Sequence, residues 1–203
     1  MDDRLGGDNA VGAASVWPTR VYLVRHGQTE LNAAGLIRGL LDPPLDKVGH
    51  LQAQEVGAAL ARLAPRAVVS GPLRRTVETA HAIASSSEAP LSVDRRLQDR
   101  DYGEWTGKSV RSVQEQWGSL DDAPGVELWT EVAARALQAL EALYDENAPR
   151  PVVVVTHDAV VRALLMTWGR VRGADSVVDP GSYSVVERSA DGWRVLSVNN
   201  HVG

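Results

Sequence analysis

Between residues 20 and 198, short apolar runs alternate with longer stretches whose apolar positions recur at helical spacing. Arg20-Val-Tyr-Leu-Val24 is β-branched and aromatic, which suits a buried strand, and it stops at Arg25-His26-Gly27. A Pro/Gly/Asp-rich loop from Gly35 to Pro44 leads to Asp46, an N-cap for a helix with apolar positions Val48, Leu51, Val56, Leu60 and Leu63 that ends near Pro65. Ala67-Val-Val-Ser70 predicts a second strand. Gly71 and Pro72 follow, with Pro72 at the first position of a helix carrying Val77, Ala80 and Ile83. Leu97 to Gly125 is rich in Asp, Gly and Trp, and predicts an irregular excursion too polar to be core, with one short helix near Ser109 to Trp117. Val132, Ala136, Leu140 and Leu143 mark a helix over Trp129 to Tyr144. Val152 to Val155 is an all-valine strand that must be covered on both faces, and it runs into His157 and a helix carrying Val160, Val161, Leu164, Leu165 and Trp168. Tyr183 to Glu187 and Trp193 to Val198, joined through Ser189 to Gly192, predict a closing strand pair.

This alternation predicts an α/β fold, a three-layer α-β-α sandwich whose mostly parallel central sheet has helices on both faces. The length of 203 residues supports one domain, taken here as residues 18–203 behind a flexible tail over residues 1–17. The tail, MDDRLGGDNAVGAAS at its start, has neither the basic segment nor the apolar stretch of a secretory signal. No unbroken apolar run approaches a membrane span, since even Ala159 to Met166 is interrupted by Arg162. The chain has no Cys, which excludes disulfide scaffolds, thiolate zinc sites and hydrolases with a Cys nucleophile, and fits a cytoplasmic protein. With 21 basic and 26 acidic side chains, a net charge of −5 provides no global field for nucleic acid or an anionic membrane. Any anion site is therefore local.

His26 and His157 both follow strong strands directly, and ligands of open α/β sheets bind beyond the carboxyl ends of the strands, so one crevice can hold both imidazoles. Arg74 and Arg75 fall in the first turn of the helix after the second strand, where the helix dipole disfavours cations and an anion would compensate. Arg25 adds a further guanidinium. Two histidines and several arginines at a helix N-terminus suit phosphate, whose oxygens accept paired guanidinium bonds, and a neutral imidazole can attack phosphorus.

These residues resemble a known family. Arg25-His26-Gly27-Gln28-Thr29 followed by Asn32 is similar to the R-H-G-[EQ]-T-x-x-N signature of the histidine phosphatase superfamily, also called phosphoglycerate mutase-like. Ser70-Gly-Pro-Leu-Arg-Arg75-Thr-Val-Glu-Thr-Ala80 resembles its second segment, Leu97 to Gly107 resembles L-x-E-x-x-Y-G-x-W-x-G, and Val152 to Leu165 matches the strand carrying the second histidine. The resemblance covers residues 20 to 198. It implies a phosphoglycerate mutase-like fold, His26 as the phosphorylated nucleophile, and Arg25, Arg75 and His157 holding the transferring phosphoryl group, with Asn32 nearby; Gln28, Thr29 and Arg38 are further candidates for substrate binding. It implies no cofactor and no metal.

The chain departs from the pattern in three places. Asp99 stands where the family has its proton-donating Glu, and Asp101 and Glu104 are the alternatives for that role. His157-Asp158-Ala159 replaces a commoner Gly-Gly, and Leu128 follows Glu127 where Ser is usual. Other residues have ordinary readings. His50 and His81 lie in helices and His201 is near the terminus; Asp158 serves the helix dipole or pairs with Arg162 at i, i+4; Arg74 faces solvent. Arg38 either contacts substrate or is simply exposed. Trp105 and Trp129 are candidates for the substrate entrance. Gly103 to Ser109 superficially resembles a P-loop, but has three residues between its glycines where the phosphate cradle needs four.

The expected activity is phosphohydrolysis of a small phosphorylated metabolite through a phosphohistidine on His26. The alternatives are a cofactor-dependent mutase, for which the family resembles longer chains, and a phosphate-binding module that lost turnover when Glu became Asp99. Neither nucleic acid nor membrane is expected as a partner. The oligomeric state stays open, with a homodimer among the options.

Overall fold

The computed structural model describes residues 19–145, 148–170 and 178–202, so the expected tail lies outside the described residues. Six strands, β1 (Thr19–Arg25), β2 (Ala67–Ser70), β3 (Leu91–Val93), β4 (Val152–Thr156), β5 (Tyr183–Ser189) and β6 (Gly192–Asn200), form one sheet in the order β3-β2-β4-β1-β5-β6. The pairings β2·β3, β2·β4 and β1·β4 are parallel, whereas β5 runs antiparallel to both β1 and β6. The described helices are α1 (Glu30–Ala33), α2 (Lys47–Ala61), α3 (Arg74–Ser87), α4 (Val110–Trp117), α5 (Trp129–Glu141) and α6 (Asp158–Thr167).

The period of two along each strand separates the layers. Val21 and Leu23 of β1, with Val152 and Val154 of β4, pack against Val132, Ala136 and Leu140 of α5 and Val160, Val161 and Leu164 of α6. Val24, Val153 and Val155 point the other way, against Val56 and Leu60 of α2 and Ala80 and Ile83 of α3. The all-valine strand is thus central and buried on both faces, as its composition required.

Five local features differ from the sequence expectation. On α2 the inward face is Gly49, Ala53, Val56, Gly57 and Leu60, while Val48, Leu51 and Leu63 are exposed. The reason is a close backbone approach: a Cβ on Gly27 would lie 2.3 Å from the Gly49 carbonyl oxygen, and one on Gly49 would lie 2.0 Å from that of Gln28. Small residues face the first motif because nothing larger fits, and the larger apolar side chains are left outside. Pro72 precedes α3 rather than opening it, with Leu73 as N-cap. The short edge strand β3 and the end of α5 at Glu141 were not apparent from periodicity. Finally, Leu97 to Gly125 is not too polar for a core. Leu97 is fully buried in the main core, and Tyr102, Trp105, Val113 and Ala123 form a separate cluster with Ile37. Trp105 belongs to that cluster, not to an entrance, and its indole N–H donates to the Pro124 carbonyl at 2.7 Å. A few large aromatic rings suffice there because each buries more area than an aliphatic side chain.

The Gly27–Gly49 contact has a direct consequence. Gly49→Ala is expected to lower unfolding stability by about 1–3 kcal/mol, as overpacking of a rigid backbone contact does, and to reduce turnover by displacing the His26 loop. Urea titration checks the first effect, and an unchanged midpoint would show that the contact relaxes freely.

Candidate active site

Parallel pairing of β1 with β4 places Arg25 opposite Thr156, so the residues after them, His26 and His157, emerge side by side. The His26 N–H extends the ladder by donating to the Thr156 carbonyl at 3.0 Å, and the two rings meet edge to face with centroids 5.2 Å apart. Both are fully buried. Strand β2, the other neighbour of β4, leads to α3, from which Arg75 enters the same place.

The hydrogen bonds around His26 define its protonation. Arg75 donates Nε–H to His26 Nε2 at 3.2 Å, so that nitrogen carries a lone pair, and Nδ1–H therefore donates to the Gly27 carbonyl at 2.6 Å. Burial, joined by His157 and Arg75, holds His26 well below the ordinary 6.5. Burial, with Arg75 and Arg38, does the same to His157. Two neutral imidazoles thus sit within a ring of guanidinium groups. Neither nitrogen of His157 has a hydrogen-bond partner; its Nδ1 is 3.5 Å from Asp99 Oδ2 without the geometry of a bond. A buried polar group of this kind is normally satisfied, which marks the position as one for a ligand.

Arg75 also donates to the Leu41 and Gly39 carbonyls at 2.7 and 3.0 Å and to Asp99 Oδ2 at 2.8 Å. Asp99 Oδ1 accepts the Arg100 N–H at 2.9 Å. Arg25 donates to the Val178 carbonyl, its Nε is buried without a partner, and burial lowers its guanidinium to about 10. Arg38, whose Nε is likewise buried and unpartnered, lines a cleft of about 260 Å³ together with Arg100, Tyr102, Trp129, Asp158 and Arg162. Among the described residues no group of three or more His, Asp or Glu side chains could hold a metal ion.

Residues 21–201 match the histidine phosphatase superfamily, branch 1. The chain belongs to that superfamily. It is 34% identical to the glucosyl-3-phosphoglycerate phosphatase of Mycolicibacterium vanbaalenii, over 86% of this chain and 93% of the relative. It is 31% identical to a probable phosphoglycerate mutase of Salmonella paratyphi C, over 87% and 90%. A solved structure of a mycobacterial glucosyl-3-phosphoglycerate phosphatase in complex with VO3 superimposes with a TM-score of 0.77 at 26% identity, covering 89% of this chain and 99% of that one.

Within this histidine phosphatase the residues named from sequence fall into two groups. His26, His157, Arg25, Arg75 and Asp99 converge, and Arg38 stands beside them. Gln28, Thr29 and Asn32 serve the backbone. Gln28 donates to Asp46, the N-cap of α2, while Thr29 caps α1 and shares a reciprocal capping box with Asn32. The alternative donors are turned away: Asp101 accepts the Gly103 N–H at 2.8 Å, and Glu104 is exposed. Arg74 is exposed and binds Glu78 and Asp42; Asp158 pairs with Arg162 at 3.1 Å, as the i, i+4 spacing predicts. Sequence reasoning missed Thr79, which accepts the Gly27 N–H at 3.1 Å, and Arg135, which packs under Asp99. The signal for Arg135 was a cation three residues beyond Val132 on a helix whose stripe is otherwise apolar.

The lowered histidines make stability depend on pH in a defined sense. The unfolded chain takes up their protons near pH 6.5 while the native one does not, so stability is complete above that value and falls as the pH is lowered from it. Each histidine contributes a slope of at most about 1.4 kcal/mol per pH unit. His26→Gln and His157→Gln are each expected to flatten the acid limb of a melting-temperature profile. Identical slopes in parent and variants would mean that the imidazoles are not held neutral.

Proposed function

We propose that this chain hydrolyses small phosphate monoesters by way of a phosphohistidine on His26, with a small phosphorylated metabolite as substrate and the cytoplasm as its site of action. The observation that carries the reading is the state of the imidazole pair: His26 is neutral with its Nε2 lone pair directed at a buried guanidinium, and His157 beside it has two unpartnered nitrogens. A phosphoryl group between them would accept from Arg75, Arg25 and Arg38, and negative charge developing on its equatorial oxygens would be met by donors already in place.

In the first step the ester, bound as its monoanion, takes the place of the Asp99 carboxylate beside Arg75 and passes its proton to Asp99; the Nε2 lone pair forms a bond to phosphorus, the ester P–O bond breaks, and the departing alkoxide takes that proton from the Asp99 carboxyl. In the second, water attacks phosphorus, its proton passes to the Asp99 carboxylate, and the N–P bond electrons return to Nε2. Alcohol and inorganic phosphate are released, and both residues are regenerated. The shorter Asp side chain in place of Glu is compatible with this role because the Leu97 carbonyl, two residues earlier, is tied to Thr156 Oγ1 at 2.9 Å, drawing the segment against the end of β4. The names of the relatives support a leaving group that bears a carboxylate, and Arg38 is suitably placed for one. Mutase activity shares the first step and has support in the Salmonella relative; it differs in returning the phosphoryl group to an acid instead of water.

The test is phosphate release from 4-nitrophenyl phosphate and 3-phosphoglycerate in excess chelator between about pH 5 and 8, with capture of the acid-labile phosphoenzyme by an alkaline detergent quench. His26→Ala is expected to abolish both release and capture, a loss of about 10³-fold or more, and Asp99→Asn to lower turnover by about 10²-fold. Interconversion of phosphoglycerates with negligible phosphate release would replace hydrolysis by the mutase reading. Binding of phosphate without any turnover would leave only a ligand-binding module.

A further inference from the structure

Asp99 lies in an irregular segment between two single turns of 3-10 helix, Arg95–Leu97 and Gly103–Trp105, and no sheet or helix ladder holds it. What holds it comes from α5 and the residue preceding that helix's cap. Arg135 donates from Nη1 to the Arg96 and Gln98 carbonyls at 2.8 and 2.7 Å, and from Nη2 to the Asp99 carbonyl at 3.0 Å. Its remaining donors bind both carboxylate oxygens of Glu127, at 2.8 and 3.1 Å. Glu127 in turn accepts the Asp101 N–H at 3.0 Å through Oε2, donates its own N–H to the Asp101 carbonyl at 2.9 Å, and gives its carbonyl to Arg100 Nε at 2.6 Å. The carbonyls of residues 96, 98, 99 and 101 and the N–H of residue 101 are therefore held by this ion pair together with the Glu127 backbone. That pair is itself largely shielded from water, with side-chain exposures of 18% and 16%. Its base is rigid, because Val132 and Ala136 on the same helix are fully buried in the main core.

We infer that Glu127 and Arg135 are a positioning unit for the proton donor, setting where the Asp99 carboxyl stands relative to the departing oxygen. The inference rests on Asp99 being that donor. General-acid transfer needs the carboxyl within hydrogen-bond reach of the leaving atom, and a displacement of about 1 Å is enough to lose much of the effect. The segment's other ties reach residues 96 to 98 through Asp94, Arg95 and Thr156 and the Asp99 carboxylate through Arg75; among these supports the clamp is the one that holds the Asp99 carbonyl and both backbone groups of Asp101. Neither residue is among those that line the cleft, and the role assigned to both is positioning, not catalysis.

A positioning role predicts a particular kinetic signature. Esters with good leaving groups need little protonation, whereas poor ones need the acid. The measurement is kcat/KM for the full chain across aryl phosphates of rising leaving-group basicity, from 4-nitrophenyl through phenyl to 4-methoxyphenyl. Asp99→Asn is expected to lose at least about tenfold more on the basic end than on 4-nitrophenyl phosphate. Glu127→Gln and Arg135→Lys are expected to lose about threefold more or greater in the same sense, and Glu127→Gln added to Asp99→Asn should bring no further discrimination. Comparing substrates within one preparation cancels any loss of folded protein, so a merely structural defect lowers all of them alike. Uniform losses in the two clamp variants, or no losses, alongside a selective loss in Asp99→Asn would overturn the positioning unit and leave the donor assignment intact. A uniform loss in Asp99→Asn would overturn the donor assignment, and the clamp with it.

Discussion

The guanidinium of Arg75 is wholly removed from water, and an unpaired ion in such a place would cost several kcal/mol. Its donors are instead shared among three parts of the chain: the His26 ring after β1, the Gly39 and Leu41 carbonyls of the loop beyond α1, and the Asp99 carboxylate from the excursion between β3 and α5. The loop and the excursion also meet in the apolar cluster of Ile37, Tyr102 and Trp105, whereas the strand end that carries His26 joins them through the guanidinium. The cation is what they have in common. It requires a nearby anion, which Asp99 supplies, and an acceptor nitrogen, which keeps His26 in the tautomer able to attack. The planar fork of an arginine meets these demands in one plane; the single ammonium of a lysine could not reach all of them.

Charge is arranged around this centre in two zones. In the outer cleft the cations are matched, Arg100 with Asp121 at 2.6 Å and Arg162 with Asp158 at 3.1 Å, and both guanidinium groups lie over the Trp129 ring, at 4.0 and 5.0 Å. In the inner zone Arg25 and Arg38 make no ion pair among the described residues, and Asp99 is the acid bound to Arg75. A chain of net charge −5 thus repels anions over most of its surface yet presents a local excess of positive charge in a low-dielectric recess, where it is least screened. The depressed proton affinity of both imidazoles follows first from their burial and then from the same excess.

Strand ends that run into histidine were legible because each strand is short, apolar and followed at once by a polar residue of known chemistry; adjacency of the two then followed from parallel pairing. The helix dipole argument pointed to Arg74 and Arg75 alike, and the resemblance to the family's second segment selected Arg75. The inward face of α2 was misread because periodicity counts large apolar residues. At Gly49 the deciding contact is backbone on backbone, which no side-chain pattern records. Trp105 and its neighbours were misread for a related reason: mean polarity averages a few large rings with the charged residues between them. The Glu127–Arg135 clamp left a single trace, a cation on the otherwise apolar stripe of α5, because its targets are backbone groups, which any residue type supplies.

A sheet of this kind leaves two open margins, and each is blunted differently. One is β3, only three residues long, with Val93 exposed at its end. The other is the nine-residue β6, long enough to recruit a foreign strand. Its pairing with β5 is irregular around Val185, Asn199 adopts a left-handed backbone with φ of 52°, and Arg194 crosses to Glu187. Irregular register and charge are recognised means of discouraging edge-to-edge association. The antiparallel hairpin that ends the fold therefore also acts as a guard against aggregation, leaving the crowded parallel strands at the centre free to carry the chemistry.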